Sequence, residues 1–312
     1  MSAKTVVNAP IAIFAYKRPD HLQELIRSLE ANKIWFDSPV IFYVDGAKKA
    51  ADVAPNNKVI DIVNNYPHSN KSIKISSQNR GLANSIITGV SEVLNKYDKI
   101  IVLEDDLVLH SRFLEFMNHG LNDLENYDQV ISIQGYSPIT NNNCYYLRGA
   151  DCWGWATWND RWNLFESDGK RLIAEIDRLN LKSKFNLNDS YPYYEMLKRQ
   201  VAGLNDSWAI RWHASAFLAK KLSLYPASSL VLNRGMDGSG TNAAKSTNYD
   251  VELEVGPNLD KHFFPVTENP SILKAIQKKN RSLFHYYPAY TLKWLMWGII
   301  RRIKNAKAKL KF

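Results

Sequence analysis

The sequence has little cysteine: Cys144 and Cys152 are its two cysteines in 312 residues. Two thiols cannot form the several bridges that hold small secreted domains together, and their spacing is not that of a CxxC-type zinc site. One loop disulfide between them remains open, but we expect two reduced thiols, as in a cytosolic protein. The seven histidines show no HxxxH or clustered spacing, so a histidine metal site is not supported.

Long apolar runs are lacking as well. The longest covers residues 294–300, seven positions, whereas a membrane-spanning helix needs about 20. We therefore expect no membrane-spanning helix. The first ten residues lack a basic segment followed by an apolar one, so no signal peptide is expected.

Acidic residues are absent from the C-terminal segment 271–312, which carries eleven Lys or Arg. This segment accounts for the whole formal net charge of +9, because residues 1–270 hold 29 basic and 31 acidic side chains. A slightly acidic body argues against nucleic acid as a partner. The hydrophobic fraction of 45% is ordinary for a globular chain, and the length fits one large domain or two fused ones.

Residues 1–135 alternate short apolar runs with helical patterns. The runs that predict strands are Ile11–Ala15, Val40–Val44, 73–76, 100–103 and Val130–Gln134. Between the first two, a helix is expected from Pro19 onwards, with apolar residues at i, i+3, i+4 and i+7 on one face. This alternation predicts a parallel, doubly wound α/β sheet.

Polar residues follow four of these predicted strands. They are Tyr16-Lys17-Arg18, Asp45-Gly46, Asn79-Arg80 and Glu104-Asp105-Asp106. Ligands of such sheets bind beyond the carboxyl ends of the strands, so these segments are expected to meet at one crevice. Their mixed charge suits a ligand with phosphates and hydroxyls. Each has a plainer reading too, since Asp-Gly is a common turn and Asn79-Arg80-Gly81 is an ordinary helix start.

Glu104, Asp105 and Asp106 form the sharpest local signal, an acidic cluster at the end of an apolar strand. Three carboxylates beside a core repel one another and lose hydration, which favours a nearby cation. Mn²⁺ or Mg²⁺ fits, because such ions prefer one or two carboxylates plus substrate phosphates. The alternative is a solvated acidic turn in which Asp106 caps a helix.

The ordered set of motifs resembles the nucleotide-sugar glycosyltransferases of the GT-A fold. It comprises the strand end IAIFAYKRP, then VDG, NRGLANS and VLEDDL. The set is most similar to the branch containing the Golgi N-acetylglucosaminyltransferase that begins hybrid N-glycans, together with its bacterial cell-surface relatives. The stretches CWGWATWNDRW, NDSWAIRW and NRGMDGSGTN resemble the bacterial members in particular. The resemblance covers about residues 10–242.

The resemblance implies a donor site for a UDP-sugar. Asp45 would hold the uracil or ribose, and Arg80 would lie near the nucleotide or its phosphates. Glu104 and Asp105 would contact the ribose and sugar-phosphate, and Asp106 would bind the metal. Tyr16 and Arg18, at the end of the first strand, complete the expected donor site.

The resemblance also implies a catalytic base in the segment Asn205-Asp206-Ser207-Trp208, where Asp206 is the candidate. A carboxylate opposite a diphosphate leaving group gives single displacement with inversion. The alternative is that Asp206 caps the helix that follows. Many bacterial relatives have His where this chain has Asn242, a poorer metal ligand, which leaves a second protein ligand and strict metal dependence open.

Tryptophans crowd into the stretch 153–162, which contains four of them. Indole faces suit the C–H surfaces of sugars, so Trp153, Trp155 and Trp208 are expected to line an acceptor site. The alternative is aromatic core packing, which is where most tryptophans lie.

The C-terminal tail reads as a basic amphipathic helix. Its apolar stripe comprises Leu292, Leu295, Met296, Ile299, Ile300, Ile303, Ala306 and Leu310. This composition is typical of a helix on an anionic membrane surface, although packing on its own domain is the alternative.

These observations combine into one expectation: an α/β, Rossmann-like GT-A enzyme with an amphipathic helical tail. Its regions would be a nucleotide-sugar-binding half (1–135), an acceptor-binding and catalytic half of the same domain (136–265), and a membrane-associating tail (266–312). It would act at the cytoplasmic face of the membrane on a glycan or glycolipid acceptor of lipopolysaccharide, O-antigen or capsule.

Three alternatives stay open. One is a retaining or metal-independent transferase, and another is a non-catalytic module that binds sugar nucleotides or glycans. The third is nucleotidyl transfer, which is disfavoured because Tyr16-Lys17-Arg18-Pro19 lacks the glycine of a phosphate loop.

Overall fold

The computed structural model describes residues 8–238, 251–253 and 263–283. Its strands are β1 (Ile11–Ala15), β2 (Val40–Val44), β3 (Lys71–Ile75), β4 (Lys99–Glu104), β5 (Leu107–Leu109), β6 (Val130–Gln134), β7 (Tyr145–Arg148), β8 (Trp155–Trp158), β9 (Leu222–Tyr225) and β10 (Val231–Asn233). Its helices are α1 (Pro19–Glu30), α2 (Ala50–Asn65), α3 (Leu82–Leu94), α4 (Phe113–Asp123), α5 (Asn159–Trp162), α6 (Gly169–Arg178), α7 (Lys182–Phe185), α8 (Tyr193–Val201), α9 (Ala209–Leu218) and α10 (Pro270–Leu283).

Eight of the strands form one sheet in the order β3-β2-β1-β4-β8-β6-β9-β7, and β5 pairs with β10 beside it. Strands β1 to β4 are mutually parallel, and β6 pairs parallel with β9. Strand β8 is antiparallel to both of its neighbours, and β7 is antiparallel to β9. The predicted α/β class, a Rossmann-like and mostly parallel sheet flanked by helices, is therefore confirmed.

The second half of the sheet departs from the parallel pattern that the first 135 residues predict. Residues 135–144 connect β6 to β7 without the helix that a parallel crossover uses, and β9 lies between these two strands in the sheet. The chain therefore returns in the opposite direction. Strand β8, which falls in the tryptophan-rich stretch, inserts between β4 and β6 and joins the two parts of the sheet.

The core lies on both faces of the sheet, because successive residues of a strand point to opposite sides. Ile11 and Ile13 belong to one apolar cluster, with α1, α2 and α4, while Ala12 and Phe14 belong to the other, with α3 and α9. The arrangement is three layered, helices–sheet–helices. It leaves the carboxyl ends of β1, β2 and β4 together at one edge.

Helix α10 packs on the last strands of the sheet through Ile272 and Ile276, which cluster with Tyr145 and Tyr225. The apolar stripe predicted for residues 292–310, and Asn242, lie outside the described residues. Within the described ranges, no helix combines the length and the apolar character that crossing a membrane requires. Cys144 and Cys152 are not joined in a disulfide.

Candidate active site

Asp45, directly after β2, is buried, and its carboxylate holds the loop of residues 79–81. Oδ1 accepts the backbone N–H of Gly46 at 2.9 Å and that of Arg80 at 2.8 Å. Oδ2 accepts Asn79 Nδ2 and the N–H of Gly81, each at 3.0 Å. Asp45 and Arg80 are thus brought together as the sequence predicted, with the side chain of Arg80 exposed to solvent.

The acidic cluster meets Arg18 at the carboxyl ends of β1 and β4. The Arg18 guanidinium pairs with Asp105 and, at 3.0 Å, with Asp106 Oδ2. The second oxygen of Asp105 accepts the N–H of Tyr16 at 3.2 Å. Because one guanidinium faces three carboxylates, the site carries an excess of negative charge.

This crowding changes the protonation of the cluster. Burial, together with the charges of Asp106 and Asp105, raises the pKa of Glu104 to about 8. Burial also raises the pKa of Asp105, although Arg18 opposes the rise. Burial works to lower the pKa of Arg18, but the charges of Asp105 and Asp106 outweigh it and the pKa is raised. Each shift follows from charges held close together away from water.

Asp106 lies in the turn between β4 and β5, where the pairing of β5 with β10 brings residues 233–235 next to it. The backbone N–H of Arg234 donates to the Asp106 carbonyl at 2.8 Å. Gly235 leaves space for the carboxylate, since a Cβ at this position would lie 2.1 Å from Asp106 Oδ2. The segment Asn233-Arg234-Gly235 therefore shapes the surroundings of Asp106, a role that its turn-like sequence did not reveal.

Tyr16 is fixed in place at the end of β1 by the loop after β2 and by the first turn of α2. Its hydroxyl donates to Asp52 Oδ2 at 2.9 Å and accepts the N–H of Lys48 at 2.9 Å. Lys17 pairs with the other oxygen of Asp52 at 2.7 Å. Asn56 bridges the two loops by donating to the carbonyls of Tyr16 and Asp45. The loops after β1 and β2 thus form one hydrogen-bonded unit.

Asp206 is exposed, and it lies against the N-terminal end of α3. Its Oδ2 accepts the N–H of Ala83 at 3.4 Å. It does not cap its own helix, since Ser207 Oγ accepts the N–H of Ile210 there. The candidate base therefore stands at the same edge as Asp45 and the loop it holds.

Trp155 and Trp208 do not offer a face to an acceptor, which corrects the expected platform. They are 0% and 2% exposed, and their rings stack 5.3 Å apart inside the core. The apolar neighbours of β8 and α9 cover both rings, so both tryptophans are core residues. Trp153 is half-buried, 4.7 Å from the ring of Tyr136, and stays a predicted acceptor contact.

Trp208 has a different role that the sequence reasoning missed. Its indole N–H donates to the carboxylate of Glu104, which lies 104 positions earlier in the chain. This bond connects the 205–208 segment to the acidic cluster. No local pattern indicates such a contact, because its two partners become neighbours only through the packing of α9 against β4.

The acidic cluster fits a divalent cation by its chemistry. The side chain of Asp106 is 13% exposed, and the three carboxylates outnumber the one guanidinium beside them. Among the described residues, no group of three His, Cys, Asp or Glu forms a metal cage. The arrangement matches a Mg²⁺ or Mn²⁺ ion that takes one or two carboxylates and completes its shell with phosphate and water.

Comparison with known proteins gives no family assignment. No family model matches the chain, and no curated protein matches it. Among solved structures, it is similar to a mannosyltransferase from Pyrobaculum calidifontis in complex with GDP-Man and Mn²⁺ (12% identity, TM-score 0.32, 44% of this chain and 38% of that one). It is also similar to GalNAc-T7 with UDP, GalNAc and Mn²⁺ (10% identity, TM-score 0.36, 51% and 36%).

A third similar structure is a mannose-1-phosphate geranyltransferase from Thermus thermophilus, at 12% identity and a TM-score of 0.34, covering 70% of this chain and 73% of that one. The aligned parts span less than two fifths of the mannosyltransferase and of GalNAc-T7. Likeness at this level carries no argument about activity. The α/β fold is established by the sheet itself.

Proposed function

We propose that this chain is an inverting glycosyltransferase that moves a sugar from a UDP-sugar to a hydroxyl of a surface-glycan acceptor. One observation carries the proposal: Asp45 with loop 79–81, the acidic cluster with Arg18, and Asp206 converge at the carboxyl edge of one sheet. A diphosphate donor needs polar groups for its hydroxyls and positive charge at its leaving group. This edge offers the polar groups and two arginines, and its negative acidic cluster would hold a cation.

The donor half of the reaction is assigned to the first half of the chain. Arg18 and the exposed Arg80 supply positive charge, and Tyr16 is held rigid beside them. Glu104 would face the ribose and sugar-phosphate, and Asp106 would hold Mn²⁺ or Mg²⁺. Asp105, which the resemblance also assigns to the donor, is buried with both oxygens bonded to Arg18 and Tyr16, so it would act by positioning those two residues. When bound, the cation supplies charge that stabilises the diphosphate as it leaves.

The acceptor half is assigned to Asp206. As an exposed carboxylate, it can take the proton of an acceptor hydroxyl while the new bond forms. The Ala83 N–H at the N-terminal end of α3 contacts this carboxylate at 3.4 Å and holds it at the edge of the site. A single base opposite the leaving group gives inversion at the anomeric carbon.

The test is a panel of nucleotide sugars, scored for thermal stabilisation and for hydrolysis with and without Mn²⁺ or Mg²⁺. We expect stabilisation by UDP and by one UDP-sugar, with the released or transferred sugar appearing first as the inverted anomer by proton NMR. A retained anomer would remove the inverting mechanism. Absence of stabilisation by every nucleotide, with either metal, would overturn the proposed donor class.

We further propose that the basic tail places the enzyme on the inner face of the cytoplasmic membrane, within reach of a lipid-linked acceptor. The support is the sequence alone: eleven basic and no acidic residues in 271–312, with an apolar stripe from Leu292. Removing residues 292–312 should release the protein from phosphatidylglycerol vesicles at moderate salt. If the shortened chain stays bound while neutral vesicles bind neither form, the tail is not the anchor.

A further inference from the structure

Asp45 makes more hydrogen bonds within the protein than a free ligand-binding carboxylate would. Its two oxygens accept four N–H donors at 2.8–3.0 Å, from Gly46, Asn79, Arg80 and Gly81. An ionised carboxylate offers about four lone-pair sites, so this set saturates it. The side chain is also buried. A nucleotide hydroxyl could bind Asp45 only by displacing one of these donors.

The loop held by Asp45 touches the candidate base on its other side. Gly81 has φ +81, and a Cβ on it would lie 3.0 Å from Asp206 Oδ2. The same oxygen accepts the N–H of Ala83 two residues later. Residues 79–83 therefore stand between the two carboxylates, with Asp45 bonded to the loop and Asp206 resting on the start of α3.

The close fit extends to the loop after β2. A Cβ on Gly46 would lie 2.6 Å from the backbone carbon of Gln78, so the two backbones are in direct contact. Asn79 Nδ2 adds a bond to the Gly46 carbonyl at 2.8 Å. The position of loop 79–81 thus depends on Asp45 and its immediate neighbours.

We propose that Asp45 is a positioning residue, which sets the place of Asp206 through loop 79–81 and is not itself a ligand of the nucleotide. The inference rests on the proposed function for the role of Asp206. It differs from the expectation that Asp45 holds the uracil or ribose, because the oxygens that would do so are already bonded within the protein.

The first test compares Asp45→Asn with Asn79→Ala. Asp45→Asn replaces Oδ2 with an NH₂ group, which cannot accept the hydrogen bonds from Asn79 Nδ2 and the Gly81 N–H. Asn79→Ala removes one donor and leaves the carboxylate intact. If Asp45 acts through the loop, each variant lowers kcat by about tenfold or more and keeps the Kd for UDP within about threefold. The double variant should then be no worse than the more impaired single one.

A direct nucleotide contact predicts a different pattern. Asp45→Asn would then raise the Kd for UDP strongly, whereas Asn79→Ala would leave this Kd unchanged. The losses of kcat/KM in the two single variants would multiply in the double variant. That result overturns the inference. The Asn79 variant also keeps the test usable if Asp45→Asn fails to fold.

A second readout needs no activity. Hydrogen exchange at the amides of Arg80, Gly81 and Ala83 should be at least about tenfold faster in Asp45→Asn than in the unliganded wild type. The matched control is Asp61→Asn, the same change at an exposed position of α2, which should leave these amides unchanged. Unchanged exchange in Asp45→Asn would overturn the inference. If the wild-type chain binds no nucleotide, the proposed function is wrong. The exchange rates then still test whether Asp45 holds loop 79–81 in place.

Discussion

Trp208 donates its indole N–H to the carboxylate of Glu104, and this bond joins the two halves of the candidate site. Glu104 ends β4, and Trp208 precedes α9, two residues after Asp206. Trp208 is in turn held in the core by stacking on Trp155. The candidate base is therefore anchored to the acidic cluster on one side and to loop 79–81 on the other.

Replacing Trp208 with Phe should disturb the site more than the same change at Trp155, on which its ring stacks. Trp208→Phe removes the hydrogen bond that favours ionised Glu104, so the pKa of Glu104 should rise further. We expect the pH at which activity reaches half its maximum to move upward, with kcat lowered about tenfold. The measurement is the pH profile of kcat.

The matched control is Trp155→Phe, because the indole nitrogen of Trp155 has no hydrogen-bond partner among the described residues. Both variants lose buried aromatic volume, and both should lower the melting temperature. If Trp155→Phe shifts the pH profile as much as Trp208→Phe does, the effect comes from packing and the bond to Glu104 is unimportant.

Replacing Asp206 with Asn should abolish most turnover and leave donor binding intact. Asn has nearly the same shape and still accepts the N–H of Ala83, but it cannot take a proton from the acceptor. The loss expected for a general base is about 10²–10⁴-fold in kcat. Turnover with a saturating acceptor and calorimetric titration with UDP check the two parts separately. Retained turnover would remove Asp206 as the base.

Gly235→Ala should weaken the binding of the metal ion, because the new side chain displaces Asp106. The new Cβ would lie 2.1 Å from Asp106 Oδ2, far inside van der Waals contact, so the carboxylate must move. We expect the Mn²⁺ concentration that gives half-maximal activity to rise about tenfold or more.

The control for this change is Gly203→Ala. It strains a backbone at φ +66, but nothing lies within 4 Å of the new Cβ, so it can cost stability without moving the acidic cluster. Equal effects of the two changes on the Mn²⁺ requirement would contradict a role for Gly235 beside Asp106.

His213 should make the fold less stable in mild acid. Burial lowers its pKa to about 4, against 6.5 for the free side chain, while Nδ1 contacts the Ala150 carbonyl at 2.9 Å. Between pH 6.5 and 4 the unfolded chain therefore binds a proton that the folded chain does not. The free energy of unfolding should fall by about 3 kcal/mol across that range. Denaturant titrations of wild type and His213→Asn should show a steeper pH dependence in the wild type; equal slopes would contradict this origin.

Much of the first half of the fold follows from the sequence because its strands are short apolar runs with polar ends. The limits of β1, β2 and β6 coincide with the predicted ones. Strand β8 was missed, since its tryptophans satisfy a core and a sugar site equally well on composition. Only the burial of Trp155 decides between the two.

The candidate site was predictable where its residues end strands and unpredictable where contacts cross the chain. Asp45, Arg80 and the acidic cluster follow strand ends, so a parallel sheet brings them together. The bond from Trp208 to Glu104 and the fit of Gly235 against Asp106 depend on tertiary packing. Neither contact can be recognised from the spacing of residues along the sequence.

The most direct test of the account is a crystal structure of the chain with UDP and Mn²⁺, using the anomalous signal of manganese to locate the ion. We expect the ion beside Asp106, bound to the diphosphate, with the nucleotide lying along the loops after β1 and β2 and Asp45 still bonded to loop 79–81. Manganese and nucleotide at another place on the molecule would contradict it.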